Sequence, residues 1–324
     1  PKPFAAASIG QIHRAVLKDG TNVVVKIIKA DFEASFRRDV RRMKRWIRMG
    51  LFFNPRLRKV GNPIGLLAHI EDYTLRELNL MNEIDGRQQL IERAHGIEKH
   101  FAMPKLKFPK MWESLSNEHI LVMEEVTHPT LEDHLEAGTL TWPDMLQLFR
   151  IHGAFMFGLG TFHGDLHPGN AMMDDEGNFF FIDTGAICNA PEHVRNALFG
   201  FFFFLAKGEL RSAFDAMLTM AAVRPTGKTL ETYYASMNEL YAGFVGTSVS
   251  EVSLTEQMMK TVKAAVLAGC AFGEEAFPII RSLMYMDGMV LKGHPDVDLI
   301  SSMGPYLDEF SVLIDPNSII KPQD

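Results

Sequence analysis

Cysteine is scarce in this chain. Only Cys188 and Cys270 occur in 324 residues, which excludes a disulfide framework and a four-thiolate metal centre and leaves both thiols to core packing in a reducing compartment. No run reaches the length of a membrane-spanning helix. The nearest candidate, Ala197 to Ala206 with Phe201-Phe202-Phe203-Phe204, is too short and reads as a buried helix. A positive balance is missing too: the net charge is −7, and no aromatic-interleaved basic strand or recognition motif accompanies the basic residues, so nucleic acid is not an expected partner. Internal repeats and low-complexity tracts are absent. So is an initiator methionine: the chain starts at Pro1 in sequence that already reads as structured, the natural N-terminus is expected to lie upstream, and targeting signals go unread.

What is present is ordinary for a globular protein, with 47% apolar and 23% charged residues. The length is enough for two domains or one bilobal unit. One stretch departs from the acidic balance. From Arg37 to Lys59, ten basic residues face the single acid Asp39. Phe32, Phe36, Val40, Met43 and Ile47 recur there at helical spacing, which predicts a basic amphipathic helix. Its charged face is either simply solvated or drawn to anionic lipid headgroups and phosphate-bearing partners.

Strand signals open the chain. Ser8 to Ala15 and Asn22 to Ile28 flank Lys18-Asp19-Gly20, an Asp-Gly hairpin signature. A Pro- and Gly-rich loop from Asn54 to Gly65 precedes a helical stretch from about Leu66 to Ala94 that carries Glu77 and Glu83. Lys105 to Val126 reads as two more strands, with Ile120-Leu121-Val122-Met123 as a buried run, so a small mixed sheet is expected. Beyond Leu131 the pattern is mostly helical, interrupted by a short strand at Phe179 to Ile182. The class is α+β: residues 1–126 form a small mixed-β lobe with a basic helix inserted at about 31–60, and residues 127–324 form a helical lobe.

The densest chemistry lies at His163-Gly164-Asp165-Leu166-His167-Pro168-Gly169-Asn170, with Phe181-Ile182-Asp183-Thr184-Gly185 downstream. An Asp, an Asn five residues on and a second Asp in a strand supply one acceptor for a hydroxyl proton and two oxygen ligands for Mg²⁺. Two other readings use the same residues. One is a His-rich turn between helices. The other is a zinc-type site on His163, Asp165 and His167, although no second His cluster at ligand spacing completes it. Lys26 meanwhile interrupts the apolar strand Val23-Val24-Val25-Lys26-Ile27. There it needs an anion or carboxylate, unless it snorkels to water from a strand end. Glu83 and Glu77 are the candidate partners.

Taken together, Ala5-Ala6-Ala7-Ser8-Ile9-Gly10-Gln11-Ile12-His13, the Val-Val-Lys strand, Glu77-Leu78-Asn79-Leu80-Met81-Asn82-Glu83, the His-Gly-Asp-Leu-His-Pro-Gly-Asn loop and Ile-Asp-Thr-Gly resemble the UbiB/AarF-type atypical kinase family. Pro278 to Leu299, with Arg281 and Asp287-Gly288, is similar to that family's C-terminal helix. The resemblance implies a bilobal protein-kinase-like fold that binds ATP or ADP with Mg²⁺ and a link to ubiquinone biosynthesis. Carried over by position, Lys26 contacts the phosphates with Glu83 as its ion-pair partner, Asp165 is the catalytic base, and Asn170 and Asp183 ligate Mg²⁺. Ala5, Ala6, Ala7 and Ser8 then cover the nucleotide, and Glu124 and Val126 lie at its hinge. Three alanines where ordinary kinases use glycine crowd the backbone's approach to phosphate, which implies slow transfer with ADP favoured.

Three departures accompany the resemblance. The Lys-x-Gly-Gln helix is not in this chain, so Glu77 lacks the lysine it pairs with in the family. Asn79 stands where Asp is frequent. Thr184, rather than a large apolar residue, follows Asp183. No Ala-Pro-Glu segment for peptide substrates occurs.

The expected function is weak ATPase or small-molecule or lipid kinase activity, inside the cell and peripheral to a bacterial inner, mitochondrial or plastid membrane. The expected partners are a nucleotide, an anionic or isoprenoid lipid surface reached through Arg37 to Lys59, and a quinone-biosynthesis complex. The alternatives are a pseudokinase-type binding module at a membrane and a soluble small-molecule phosphotransferase.

Overall fold

The computed structural model describes residue 3 and residues 5–6, 10–29, 32–53, 64, 67–68, 71, 74–75, 78–273 and 276–314. The chain divides into two compact units, the first made of residues 1–88, 108–127 and 183–186 and the second of residues 89–107, 128–182 and 187–324.

The first unit is organised by a hairpin. After β1 (Ala5–Ala6), β2 (Gly10–Val16) and β3 (Asn22–Ile28) pair antiparallel from Gly10↔Ile28 to Val16↔Asn22. The turn between them closes because Gly20 adopts φ 88°, a left-handed conformation that costs glycine little, while Asp19 Oδ1 accepts the Thr21 N–H at 3.0 Å. Helix α1 (Phe32–Phe53) follows, and α2 (Met81–Ile97) starts in this unit. On α1, Val40 and Leu51 are buried and Phe32, Phe36 and Ile47 are partly covered, whereas Met43, Trp46 and Met49 are exposed. Residues 54–63, 65–66, 69–70, 72–73 and 76–77, which include most of the expected loop and Glu77, lie outside the described residues.

In the second unit, β4 (Leu106–Lys107) precedes β5 (Ile120–Glu124), which belongs to the first unit. Then come α3 (Leu131–Ala137) and α4 (Trp142–Gly153), each started by a reciprocal capping box, Thr130 with Asp133 and Thr141 with Asp144. Helix α4 widens into a π-helical turn over Ala154–Leu159 that packs very closely on the C-terminal segment. A Cβ placed on Gly153 would lie 2.6 Å from Phe310, and one on Gly158 would lie 2.5 Å from Leu313. The strands β6 (Thr161–His163), β7 (Ala171–Met173), β8 (Phe179–Phe181) and β9 (Ile187–Asn189) frame the site loop, with β6 paired to β9 and β8 set between β4 and β7.

Helical layers complete the second unit: α5 (Glu192–Ala206), α6 (Leu210–Thr219), α7 (Lys228–Tyr241), α8 (Leu254–Leu267), α9 (Phe277–Gly293) and α10 (Leu299–Phe310), with a small ribbon of β10 (Ala221–Val223) and β11 (Ala271–Phe272). Helix α5 turns Phe199, Phe201 and Phe202 into the core and leaves Phe203 and Phe204 half-buried. Phe202 meets Phe157 of the π turn at 5.9 Å between ring centroids. Each buried ring contributes about 2 kcal/mol by leaving water. Cys270 is buried and Cys188 partly so, and no disulfide joins them.

The sheet of the first unit runs β1-β2-β3-β5 and is antiparallel at every pairing, which corrects the expected mixed sheet. The parallel pair is β4 with β8, in the second unit. Of the two strands expected between Lys105 and Val126, only β5 therefore joins the hairpin. Strand β4 is too short to carry an alternation that would reveal its partner. Among the described residues, no helix is long and apolar enough to cross a membrane.

Candidate active site

Strand β3 is central, paired with β2 on one edge and β5 on the other, with Lys26 opposite Leu121. A lysine held there cannot reach water freely, and its side chain is 14% exposed. Its ammonium donates to Glu83 Oε1 in the first turn of α2 and to Asp183 Oδ2 at 2.8 Å. Residues 57 and 157 positions away are thus gathered on one nitrogen within the first unit.

Thr184 holds the other side of Glu83. Its N–H donates to Glu83 Oε2 at 3.3 Å and its hydroxyl donates to the Glu83 carbonyl at 2.6 Å. Thr184 is fully buried, so the hydroxyl that breaks the family pattern serves as a brace. Burial acts to strip the Lys26 proton, but the Glu83 and Asp183 charges outweigh it and hold the pKa above the ordinary lysine value. Burial, and then the Asp183 charge, pushes Glu83 upward against the pull of Lys26.

Two carboxylates on one ammonium leave surplus negative charge when both are ionised. That surplus is accessible at Asp183, whose side chain is 33% exposed against 4% for Glu83. An oxygen donor of this kind suits a hard divalent cation such as Mg²⁺.

The second unit carries the His163–Asn170 loop. Asn170 Nδ2 donates to the Asp165 carbonyl at 2.9 Å, so the loop uses the amide nitrogen, and an amide oxygen is a donor type that suits a hard divalent cation. The histidines are spent on the backbone: His163 Nδ1 accepts the Asp165 N–H at 3.2 Å and His167 Nδ1 accepts the Gly169 N–H at 3.1 Å. Among the described residues no three His, Cys, Asp or Glu side chains gather as a metal set, and the zinc-type reading of His163, Asp165 and His167 lapses.

Helix α9 braces this loop. Arg281 Nε donates to the Gly164 carbonyl at 2.9 Å, Ser282 Oγ to the His163 carbonyl at 3.4 Å, and Tyr285 Oη to Asp165 Oδ1 at 2.8 Å. Asp287 accepts the Leu254 and Thr255 N–H groups at 3.0 and 2.9 Å and so fixes the start of α8. Sequence reasoning singled out Arg281 and Asp287 but missed Ser282 and Tyr285. The available signal was the spacing of Tyr285, four residues from Arg281 and three from Ser282, which sets it beside both on the helix surface.

Of the other expected nucleotide contacts, Ala5 and Ala6 pair with Ile12 and Gln11 in the sheet, while Ala7 and Ser8 lie outside the described residues. Glu124 is exposed at the end of β5 and accepts the Lys110 N–H at 2.9 Å. Val126, two residues on, is half-buried.

A strand lysine tied to a helix glutamate and to an aspartate just past β8, rather than in a strand as expected, together with an Asp-x-x-x-x-Asn loop, defines a protein-kinase-like scaffold. A model of the ABC1 atypical kinase-like domain matches residues 1–217, and the chain belongs to that family. Curated relatives named probable protein kinase UbiB include one from Aeromonas salmonicida, 26% identical over 95% of this chain and 56% of its own length. Another, from Sodalis glossinidius, is 24% identical over 95% of this chain and 57% of its own length. The chain thus spans about half the length of the curated relatives it matches. Among solved structures, the complex of Rv3197 with erythromycin from Mycobacterium tuberculosis shares the fold, with a TM-score of 0.55 at 18% identity, over 91% of this chain and 77% of that one.

Proposed function

We propose that this protein binds ATP or ADP with Mg²⁺ and hydrolyses ATP slowly, or passes its terminal phosphoryl group to a small-molecule or lipid acceptor, in support of isoprenoid quinone (ubiquinone) biosynthesis. One observation carries the reading: Lys26 is held by both Glu83 and Asp183. A buried ammonium fixed by two carboxylates is preorganised for a polyphosphate, and the surplus acid is preorganised for its counter-cation.

In the reaction, Lys26 binds the nucleotide phosphates and Glu83 keeps it aimed. Ala5, Ala6, Ala7 and Ser8 cover the nucleotide, and Glu124 and Val126 flank its base. Asp165 accepts the proton of the attacking hydroxyl. Asn170 and Asp183 would hold Mg²⁺, which when bound offsets phosphate charge. The names of the relatives and the family model support the kinase-like class, and the quinone link is what the family resemblance implies.

The test is nucleotide binding with and without Mg²⁺, followed by phosphate release with and without anionic liposomes. The expected result is Mg²⁺-dependent binding that Lys26→Ala removes. Failure of both nucleotides to bind overturns the reading.

A second reading is supported by α1, where Met43, Trp46 and Met49 are exposed beside Arg41, Arg42, Arg45 and Arg48. Apolar tips among cations suit an anionic or isoprenoid lipid surface. This reading places the protein at the periphery of a bacterial inner, mitochondrial or plastid membrane, beside a quinone-biosynthesis complex, where nucleotide state governs attachment. Biological activity that survives Asp165→Asn but not Asp183→Asn decides for it.

A further inference from the structure

Helix α9 touches the site loop at three consecutive residues. Arg281 and Ser282 take the carbonyls of Gly164 and His163, and Ser282 is itself fixed by His152 Nε2 at 2.5 Å. Those contacts hold backbone. Tyr285 is different, because its hydroxyl donates to the Asp165 carboxylate itself, at Oδ1. The phenol ring is held edge-on to His167, with centroids 5.7 Å apart and planes at 90°. The other carboxylate oxygen, Oδ2, has Asn170 Nδ2 at 3.4 Å, a far weaker contact.

The terminal torsion of an aspartate is broad and nearly two-fold, so an unbraced carboxylate exchanges its two oxygens freely. A hydroxyl bound to a carboxylate oxygen makes a charge-assisted bond, roughly twice as strong as a neutral one, and breaks that symmetry.

We infer that Tyr285 is a positioning residue for Asp165: by engaging Oδ1 it sets the carboxylate plane and leaves Oδ2 as the oxygen that takes the acceptor proton. The assignment rests on the phosphoryl-transfer reading above. In that step the O–H bond of water or an alcohol acceptor breaks and its proton passes to Oδ2. The acceptor oxygen bonds to the γ-phosphorus as the bond to the ADP oxygen breaks.

Tyr285→Phe keeps the ring packed on His167 and removes only the donor. The expected result is a fall in kcat for phosphate release of about tenfold or more, with KM for ATP unchanged. In an Asp165→Asn background the same substitution has little further effect, because the two residues act as a unit. Amide hydrogen exchange across residues 163–170 is expected to rise in Tyr285→Phe. Unchanged or faster turnover, or an equal loss in both backgrounds, overturns the assignment. Exchange needs no turnover: unchanged protection of that loop overturns the assignment even in an inactive protein, whereas a wild-type chain that binds and hydrolyses no nucleotide counts against the functional reading alone.

Discussion

Thr184 grips Glu83 twice, by its N–H to the carboxylate at 3.3 Å and by its hydroxyl to the main-chain carbonyl at 2.6 Å. The segment that carries Asp183 is thereby tied to the helix that carries the Lys26 partner. Thr184→Val keeps the shape and removes the hydroxyl. We expect a loss of about 1 kcal/mol of stability and weaker nucleotide binding. Thermal unfolding and equilibrium titration of the purified variant check both, and an unchanged affinity means the brace is only structural.

Removing Lys26 leaves two carboxylates facing each other in a largely buried setting. Lys26→Ala should cost about 3 kcal/mol at neutral pH. Protonation of Glu83, whose pKa burial already pushes up, removes the unpaired charge. The deficit against wild type should therefore shrink as pH falls through the Glu83 titration. Urea unfolding of both proteins across pH 5 to 8 measures it, and a deficit independent of pH refutes the electrostatic account.

His152 is 1% exposed, and burial, followed by the nearby His163, lowers its pKa to about 3. Its Nδ1 has no hydrogen-bond partner, so a proton there would be carried without compensation. The unfolded chain takes up that proton near pH 6.5 and the folded chain does not. The contribution to stability is thus complete above about pH 6.5 and is lost as pH falls toward 3, at about 1.4 kcal/mol per unit at most. Denaturant midpoints of wild type and His152→Gln should converge across that window if the sign is right, and parallel curves show that another group governs acid sensitivity.

For α1, Arg41→Glu, Arg45→Glu and Arg48→Glu together should release the protein from anionic vesicles, at about 1 kcal/mol or more for each charge changed. Trp46→Ala should weaken attachment to the same vesicles at high salt, where the charge contribution is screened. Vesicle sedimentation at two salt concentrations separates the two effects. Binding indifferent to all four changes removes α1 as the contact.

Local chemistry was readable in the sequence where it was strong. The Asp-Gly turn and the run of valines mark β3 at its observed ends, and a lone lysine inside that run demands an acid, which proves to be Glu83. Phe199, Phe201 and Phe202 of α5 are buried as the apolar density predicts, while Phe203 and Phe204 are only partly covered. Pairing was less readable. A two-residue strand such as β4 has no period, so nothing in it announces a parallel partner 73 residues away at Phe179. Thr184 and Tyr285 were hidden for a related reason: a hydroxyl gains meaning from what it meets, here 101 and 120 residues distant along the chain. Family likeness flagged Arg281 on the right helix, yet helical phase alone could not say that Tyr285 reaches a carboxylate while Arg281 reaches a carbonyl.

Neither Gly153, the last residue of α4, nor Gly158 of the π turn has room for a side chain, because Phe310 and Leu313 occupy that space. A fragment trimmed to the region that matches the family model, ending at residue 217, would lose both of those residues along with Arg281, Ser282 and Tyr285. Such a cut would open a void behind the turn and set the Asp165 loop adrift, so for expression or crystallisation the indispensable piece runs about a hundred residues past the conventional boundary.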